Sequence, residues 1–471
     1  MSSLSRRSWL QASACGFGAL AAHALAARTN GAVAATPRHL AHHPPRAQRI
    51  IFLFMQGGPS QVDTFDHKPL LARRDGEQMP FDDSRVIANT GQRGTPQRVM
   101  QSPWTFRQHG DSGRWVSDLF PHTARHVDDL CFLHGMQTEG VAHGPATLFL
   151  HCGSTNQVRP SFGSWVTYGL GTENENLPAF VTLAPSAGNG GPRNYGAAFL
   201  PARYQGTALG RAGSPASQAT LRNLGPYDGD LARQRRQLDL IQALNAEQLA
   251  AAPSNSAFDA LVDSYELAWR MQTQVPDVLN LAGETAATQS AYGLDHPATE
   301  QFGRLCLMAR RLCEAGTRFI QVTYGDNTAN PAWDQHSNLS KHADHARACD
   351  QPIAALLADL GQRGLLDDTL VWWGAEFGRT PYAEKNGTGR DHNPQGFTTW
   401  LAGGGVKPGF AYGATDEFGH RAVDGKIHMH DLHATLLDLL GLDHERLTFR
   451  HAGRDFRLTD VHGRVIDAIV D

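Results

Sequence analysis

Residues 49–58 have the sequence RIIFLFMQGG, in which an arginine is followed by six apolar residues and two glycines close the stretch. A run that is continuously apolar, and not alternating, is typical of a strand whose two faces are both covered by protein. Paired glycines let the backbone turn tightly and approach a bound group at the end of such a strand. The stretch therefore predicts the first strand of a parallel sheet, followed by a loop that faces a ligand.

The same pattern recurs along the chain. Further apolar runs lie at residues 130–134, 179–183, 318–324, 369–374 and 398–402. Helical periodicity falls between and after them at residues 299–315, 343–362 and 431–440. Asp431 is expected to be the N-cap of the last helix and Gly441 to end it. The alternation predicts an α/β fold with a doubly wound, mostly parallel sheet and helices on both of its faces.

Two segments interrupt this alternation. Residues 69–113 are polar and poorly patterned, which indicates a long excursion over the surface. Residues 202–290 contain two or three helical patterns and are predicted to form a helical insertion on the sheet. We therefore expect one α/β domain over residues 36–471 that carries this insertion.

Residues 1–35 are predicted to be an export signal and not part of the fold. The sequence SRRSWLQ at residues 5–11 resembles the twin-arginine export motif, and an apolar stretch rich in Ala and Gly follows at residues 12–27. Small residues at 32–35 offer a cleavage zone. A basic N-terminus or a short membrane anchor is the alternative, although the stretch is too short for a good spanning helix. We expect the mature protein in the periplasm.

The charge balance and the cysteines exclude several classes of protein. The chain has 42 basic and 46 acidic residues without a basic run, so neither nucleic acid nor an anionic membrane is an expected partner. Five cysteines remain after residue 36, an odd number without paired spacing, and this does not describe a disulfide framework.

Residues 333–394 hold the best candidate site. Asp334 and His336 are two apart, so in an extended segment both side chains point to the same side. Glu376 directly follows an apolar run, and Asp391 and His392 lie in a loop rich in Gly, Asn and Pro. Carboxylates and imidazoles are the donors of divalent metal sites, so these residues predict a metal centre at the carboxyl edge of the sheet.

Other candidates surround this site, each with a plainer alternative. Glu376 is a ligand or the ion-pair partner of Arg379, which otherwise holds an anionic oxygen of a substrate. The Gly57 and Gly58 amides are predicted to bind an anion. Asp63 is a ligand or the cap of the following turn. His143 precedes a helix start and stands where a nucleophile or an anion-binding group is expected.

The sequence as a whole resembles the alkaline phosphatase/sulfatase superfamily. More closely, it resembles a twin-arginine-exported family known as domain of unknown function 1501. The passages that carry this resemblance are FMQGGPSQVDTFDHKP, AHGPATLF, WDQHS, GAEFGRTP, GRDHNPQGF and the C-terminal stretch from HMHDLHATLLDLLGL onward. They span nearly all of the mature chain.

The superfamily resemblance implies two divalent ions, one of them held by an Asp, a His and a later His. Asp334, His336 and His392 stand in that order. For the other ion, the expected Asp-His pair is replaced by Glu376-Phe377, and the expected Asp after the first strand is missing unless Asp63 substitutes for it.

The element that carries the nucleophile in sulfatases matches His143, Pro145, Leu150 and Gly153 in register, so a histidine stands at the nucleophile position. Such a histidine is a covalent nucleophile, a general base or a ligand.

Two functions follow as expectations. The first is an exported hydrolase of a small-molecule or polysaccharide phosphate or sulfate ester that depends on a divalent metal such as zinc, manganese or calcium, with His143 and Arg379 as catalytic residues. The second is a non-catalytic scaffold of the same superfamily that works with an envelope protein partner.

Overall fold

The computed structural model describes residues 41–80, 97–220, 230–251, 256–328, 330–384 and 387–471. The predicted signal peptide at residues 1–35 lies outside the described residues. None of the described helices combines the length and the apolar character needed to cross a bilayer.

The strands are β1 Arg49–Met55, β2 Arg98–Val99, β3 Phe106–His109, β4 Arg114–Ser117, β5 Leu130–Gln137, β6 Phe180–Leu183, β7 Thr207–Leu209, β8 Phe319–Tyr324, β9 Thr369–Gly374, β10 Gly378–Ala383, β11 Arg390–Asn393, β12 Phe397–Ala402, β13 Phe410–Tyr412, β14 Ala414–Thr415, β15 Ala422–Asp424, β16 Ile427–His428, β17 Phe449–His451 and β18 Arg454–Phe456. The α-helices are α1 Gln61–Thr64, α2 Pro69–Arg73, α3 His143–Cys152, α4 Phe162–Leu170, α5 Leu231–Ala251, α6 Ser256–Leu279, α7 Ala286–Ala291, α8 Glu300–Glu314, α9 Lys341–Gln362 and α10 Met429–Leu439. Turns of 3₁₀ helix lie at Thr123–Asp129, Gly191–Tyr195, Ala202–Tyr204, Ala216–Gln218, Leu281–Gly283, Leu366–Asp368 and Asp467–Ile469.

A mixed, mostly parallel sheet forms the centre of the fold. Its strand order is β13-β5-β12-β9-β1-β8-β6-β7, and β16 also pairs with β5. Strand β1 is parallel to both β8 and β9, and β6 is parallel to both β8 and β7. Strand β12 is antiparallel to both of its neighbours, β5 and β9. The predicted fold class is confirmed, with one antiparallel strand inside an otherwise largely parallel arrangement.

Strand β1 shows why its sequence is continuously apolar. Ile51, Leu53 and Met55 belong to the core on one face of the sheet, where α8 and α9 contribute Leu307 and Ile353. Residues 50, 52 and 54 belong to the core on the other face, together with residues of α3, α4 and α10. Since successive side chains of a strand point to opposite faces, covering both faces requires an apolar residue at every position.

The predicted bounds of β1 and β9 agree with the structure, whereas β5 extends to Gln137. The predicted N-cap of α10 was wrong. His428 is the N-cap, and Asp431 is the third helical residue, whose carboxylate accepts the backbone N–H of His428 at 2.9 Å. The pair forms a capping box, in which the cap and the third residue satisfy each other's free N–H groups. The predicted insertion at residues 202–290 contains α5, α6 and α7, and also β7, which adds an unpredicted edge strand to the sheet.

Three buried histidines lie where α3 and α10 meet the sheet. Burial lowers the pKa of His151 and of His433 to about 4. Burial, together with the neighbouring histidines, lowers the pKa of His430 to about 2. All three side chains are therefore neutral in the folded protein at neutral pH, whereas in the unfolded chain a histidine has a pKa of about 6.5.

These histidines predict a loss of stability in acid. Because the unfolded chain binds more protons below pH 6.5, the stabilisation is complete above that pH and is lost as the pH falls toward 4. For a group with a folded pKa of about 4, the loss at pH 5 is about 2 kcal/mol. Denaturant unfolding at pH 7 and pH 5 measures this. In the variant His433→Leu, the free energy of unfolding is expected to differ between pH 7 and pH 5 by about 2 kcal/mol less than in the wild-type protein. An unchanged difference would contradict the low pKa of His433.

Candidate metal centre

Four side chains converge beyond the carboxyl ends of the central strands. They come from three places in the chain: the first residue of α3, the segment that follows β8, which contributes two residues, and β11. We refer to them as the central cluster, which consists of His143, Asp334, His336 and His392. One ligand atom from each lies within 4.8 Å of all the others. The structure thus brings together Asp334, His336 and His392, as expected, and adds His143 to them.

The carboxylate of Asp334 is the centre of this cluster. Its Oδ1 lies 2.8 Å from Nε2 of His336 and 3.2 Å from Nε2 of both His143 and His392. The same oxygen accepts a hydrogen bond from Nη2 of Arg379 at 2.8 Å. Three imidazole Nε2 atoms therefore face one carboxylate oxygen.

The other ring nitrogen of each histidine has an acceptor of its own. Nδ1 of His392 lies 2.7 Å from the carbonyl oxygen of Val141, which can only accept, so this Nδ1 carries a proton. Nδ1 of His143 lies 2.7 Å from Glu376 Oε1, and Nδ1 of His336 lies 2.8 Å from Glu384 Oε2. With a proton on Nδ1, a neutral imidazole presents a lone pair at Nε2. Metal-binding histidines are held by acceptors in this way.

The contacts inside the cluster are those of a site that fits a cation. Nε2 of His336 and Nε2 of His392 are 3.1 Å apart, so in the neutral tautomers two lone pairs face each other. Among the described residues, the buried Nε2 of His143 has no well-aligned hydrogen-bond partner, although it lies 3.2 Å from Asp334. Unpaired buried polar atoms are costly. A divalent ion among the three nitrogens and the carboxylate would satisfy all of them.

The charges of the cluster are strongly coupled. Burial raises the pKa of Asp334, but its close contacts with the three histidines and the charge of Arg379 outweigh burial and hold this pKa far below its usual range. Burial lowers the pKa of His143, yet contacts with Asp334 and Glu376 leave it above the ordinary value. For His336 the same balance, with Asp334 and Glu384, raises the pKa to about 9. Burial and nearby positive charge lower the pKa of His392 to about 3. A permanently ionised carboxylate beside imidazoles suits a cation.

Arg379 has a different place from the one expected. It is fully buried, and its Nε donates to the carbonyl of Gly58 at 2.9 Å, while Nη1 donates to the carbonyl of Arg390 at 3.2 Å. Nη2 donates to the carbonyl of Gly57 as well as to Asp334. Its donors are thus directed at the protein itself and not at a substrate oxyanion. Arg379 holds the loop after β1, strand β11 and Asp334 together.

The amides of Gly57 and Gly58 also differ from the expectation. The N–H of Gly57 donates to both carboxylate oxygens of Glu376, at 2.9 and 3.2 Å, so the anion at this amide is a protein side chain. The N–H of Gly58 turns back to the carbonyl of Met55 at 3.4 Å. Gly57 has φ of +110°, and a Cβ there would lie 2.8 Å from the backbone nitrogens of residues 333 and 334. The close approach of two loops explains the glycine at position 57.

Glu376 is buried beside the cluster and orients His143 rather than pairing with Arg379. Asp391 accepts the backbone N–H of His392 at 2.7 Å, and its Oδ1 is 3.9 Å from Nδ1 of His336. With Glu384 and His336 it forms a second group of possible ligands that lies on the far side of the His336 ring.

Asp63 is not brought to the central cluster. Its carboxylate forms an ion pair with Arg390, at 2.7 Å from Nε and 3.2 Å from Nη2, and both side chains are fully buried. Removing a carboxylate that neutralises a buried guanidinium would leave that charge without a partner. Asp63 therefore has a structural role in the fold, and the prediction that it is a metal ligand was wrong.

The cluster opens to solvent at the N-terminal end of α3. The side chain of His336 is 20% exposed, against 8% or less for the other three members. Ala142 and Pro145, on either side of His143, are exposed, and open space lies next to Gly144. A ligand therefore reaches the cluster beside the first turn of α3, where free N–H groups and the helix dipole attract negative charge.

Sequence reasoning missed Glu384 and the carbonyl of Val141. Glu384 lies only eight residues beyond Glu376, but the extended strand β10 separates them, and Glu384 contacts His336 whereas Glu376 contacts His143. A backbone carbonyl has no residue-type signature. For Glu384, its place between two candidate ligand motifs was the one available indication.

Glu384 predicts a measurable effect on metal binding. Glu384→Ala removes the acceptor that holds the His336 ring, and the affinity for a divalent ion is expected to fall about 10–100-fold. Glu384→Gln keeps an acceptor oxygen and is expected to lose less. The control is Glu77→Ala, which removes an exposed carboxylate paired with Arg74 far along the chain. Equal affinities of Glu384→Ala and wild-type protein in a metal titration would contradict the role of Glu384.

The family described as "Protein of unknown function (DUF1501)" matches residues 47–470, which include every member of the central cluster. No curated protein sequence matches the chain.

Among solved structures, the lipoteichoic acid synthase LtaP from Listeria monocytogenes is 9% identical, with a TM-score of 0.36 over 88% of this chain and 76% of that chain. The alkaline phosphatase from the Antarctic bacterium TAB5 is 10% identical, with a TM-score of 0.34 over 84% of this chain and 98% of that chain. The PsFucS1 sulfatase from Pseudoalteromonas sp. is 11% identical, with a TM-score of 0.33 over 85% of this chain and 69% of that chain.

Proposed function

We propose that this chain, which belongs to the DUF1501 family, is an exported, metal-dependent hydrolase of a phosphate or sulfate ester. The observation that carries the proposal is the set of three imidazoles whose Nδ1 atoms are each held by an acceptor, with their Nε2 atoms around the carboxylate of Asp334. Such a set is preorganised for a divalent ion at a solvent-accessible end of a helix.

The donor set favours a transition metal or zinc over calcium. Calcium and magnesium take six or more oxygen ligands, whereas imidazole nitrogen suits zinc and related ions. With three nitrogens and one carboxylate oxygen, the central cluster fits zinc best. An ion held there supplies Lewis-acid polarisation of an ester oxygen.

The protein groups around the cluster have separate tasks. His143 has Nδ1 bound to Glu376 and Nε2 directed at the cluster, so we assign it to holding the ion and not to covalent attack. Glu376 and Glu384 orient two of the imidazoles. Arg379 holds Asp334 in place and offsets part of its charge. The first turn of α3, at Gly144, attracts the anionic oxygens of the ester to the open side.

A chelation experiment tests the proposal. The full mature chain is stripped of metal, reloaded separately with zinc, manganese or calcium, and assayed with 4-nitrophenyl phosphate and 4-nitrophenyl sulfate. Turnover of one ester that is lost on chelation and restored by one ion is the expected result. A folded protein that binds an ion at the cluster but hydrolyses neither ester would contradict a hydrolase and favour the binding scaffold.

Export is the second part of the proposal and depends on Arg6 and Arg7, which stand in the sequence SRRSWLQ. Cell fractionation is expected to find the protein outside the cytoplasm and to find the variant Arg6→Lys/Arg7→Lys inside it. Equal distributions of the two proteins would contradict twin-arginine export.

A further inference from the structure

A cavity of about 430 Å³ lies at the loop that connects β5 to α3. Its lining residues are Glu139, His428, Asp431, His462, Gly463 and Arg464. The volume is within the range of about 300–1,000 Å³ that is usual for ligand sites. The central cluster uses none of these residues.

The cavity and the central cluster share one loop. Residues 138–142 connect β5 to α3, and within them Glu139 lines the cavity while the carbonyl of Val141 holds His392 of the cluster. Two residues of extended chain span at most about 7 Å. Within this length of backbone, the loop therefore contributes one residue to the lining of the cavity and one carbonyl to the cluster.

The lining offers hydrogen-bond donors and acceptors side by side. Nδ1 of His428 accepts the N–H of His430, so the proton of a neutral His428 is on Nε2, which lies 3.9 Å from Glu139 Oε1. Arg464 donates through one nitrogen to the carbonyl of Lys426, and two-thirds of its side chain is exposed. The carboxylate of Glu139 is more than half exposed and can only accept.

The lining excludes most other ligand classes. No aliphatic or aromatic hydrocarbon side chain is among the lining residues, which argues against an apolar ligand. Glu139 and Asp431 would repel an isolated anion, and Arg464 would repel an isolated cation. Hydroxyl groups both donate and accept, so a neutral ligand rich in hydroxyls matches alternating donors and acceptors.

We propose that this cavity binds the saccharide part of a sugar phosphate or sugar sulfate whose ester group lies at the central cluster. The inference rests on the proposed function, because the cluster supplies the site of hydrolysis. Glu139 and the His462 ring bind hydroxyls of the sugar, and neither touches the ion-binding side chains.

Two substrates of the metal-loaded mature protein test this proposal. One is a hexose ester and the other is the 4-nitrophenyl ester of the same acid, which has no hydroxyls for the cavity. Glu139→Ala and His462→Ala are expected to raise KM for the hexose ester about 10–100-fold, the loss that follows removal of a hydrogen bond to a charged group or of a comparable polar contact. Both variants are expected to leave KM and kcat for the aryl ester unchanged.

The control variant is Glu445→Ala, which removes an exposed carboxylate paired with Arg457 outside the cavity and is expected to change neither substrate. Equal effects of the variants on both esters, or no effect on the hexose ester, would overturn the saccharide site. Turnover of the aryl ester would still support the proposed hydrolase function in that case. If the aryl ester is not hydrolysed at all, the proposed function fails. In that case, saturation-transfer NMR with the free hexose still tests whether the cavity binds a saccharide. Binding that Glu139→Ala abolishes supports the saccharide site, and an absence of binding overturns it.

Discussion

His336→Ala is expected to remove the bound ion and to lower ester hydrolysis about 1,000-fold. The loss corresponds to the several kcal/mol of charge stabilisation that a metal ion supplies to a transition state, at 1.36 kcal/mol for each factor of ten. The ion affinity is expected to fall by more than about 100-fold, because partners that merely orient a ligand are already worth about 10–100-fold. Elemental analysis after dialysis and the aryl-ester assay measure the two effects.

The fold is expected to survive this change. His336 is the most exposed member of the central cluster, and after its removal Arg379 still pairs with the buried carboxylate of Asp334. His126→Ala is a matched control: its side chain is also 20% exposed, and its Nδ1 also faces a carboxylate, that of Asp129 at 3.3 Å. If His126→Ala lowers metal content as much as His336→Ala does, the assignment of the cluster is wrong.

Asp63→Ala is expected to lower the free energy of unfolding by about 3–5 kcal/mol, which is the cost of leaving one member of a buried ion pair without its partner. Arg390 would remain fully buried with a positive charge and only carbonyl groups of Thr380, Met100 and Gln101 to accept its hydrogen bonds. Denaturant unfolding of the two proteins measures the difference. Under native conditions, the metal content of Asp63→Ala is expected to equal that of the wild-type protein, since Asp63 lies outside the cluster.

Two further variants make this result specific. Asp63→Leu/Arg390→Met replaces both charges with apolar groups and is expected to recover much of the lost stability. Asp344→Ala breaks an ion pair with Arg347 in which both side chains are about two-thirds exposed, and its cost is expected to be at most about 1 kcal/mol. Loss of the bound ion from folded Asp63→Ala would restore Asp63 as a ligand and contradict its structural role.

The fold could be predicted from the sequence where local pattern decides it. Residues 50–55 and 370–374 are apolar throughout because both faces of β1 and β9 are covered, and the sequence pattern shows this directly. The antiparallel direction of β12 and the edge strand β7 were not predictable in this way. Strand direction depends on how the chain reaches the sheet, and the pairing of β7 with β6 depends on a partner more than 20 residues away.

The candidate site shows the same division. Asp334, His336 and His392 were recognisable from residue type and order, and the structure places them together. The positions of Arg379, Gly57 and Asp63 were not predictable, because each depends on a partner more than 300 residues away in sequence, or on the packing of loops from different strands. The sequence left His143 open between a covalent nucleophile, a general base and a ligand, and its Nδ1 contact with Glu376 supports the ligand role that we propose.

The most direct measurement of the central claim is anomalous diffraction from crystals of the mature protein grown with zinc. One anomalous peak is expected at about 2.0–2.2 Å from the Nε2 atoms of His143, His336 and His392 and from a carboxylate oxygen of Asp334. Crystals that bind zinc only at other positions, or that show the three imidazoles without a shared ion at saturating zinc, would contradict the account.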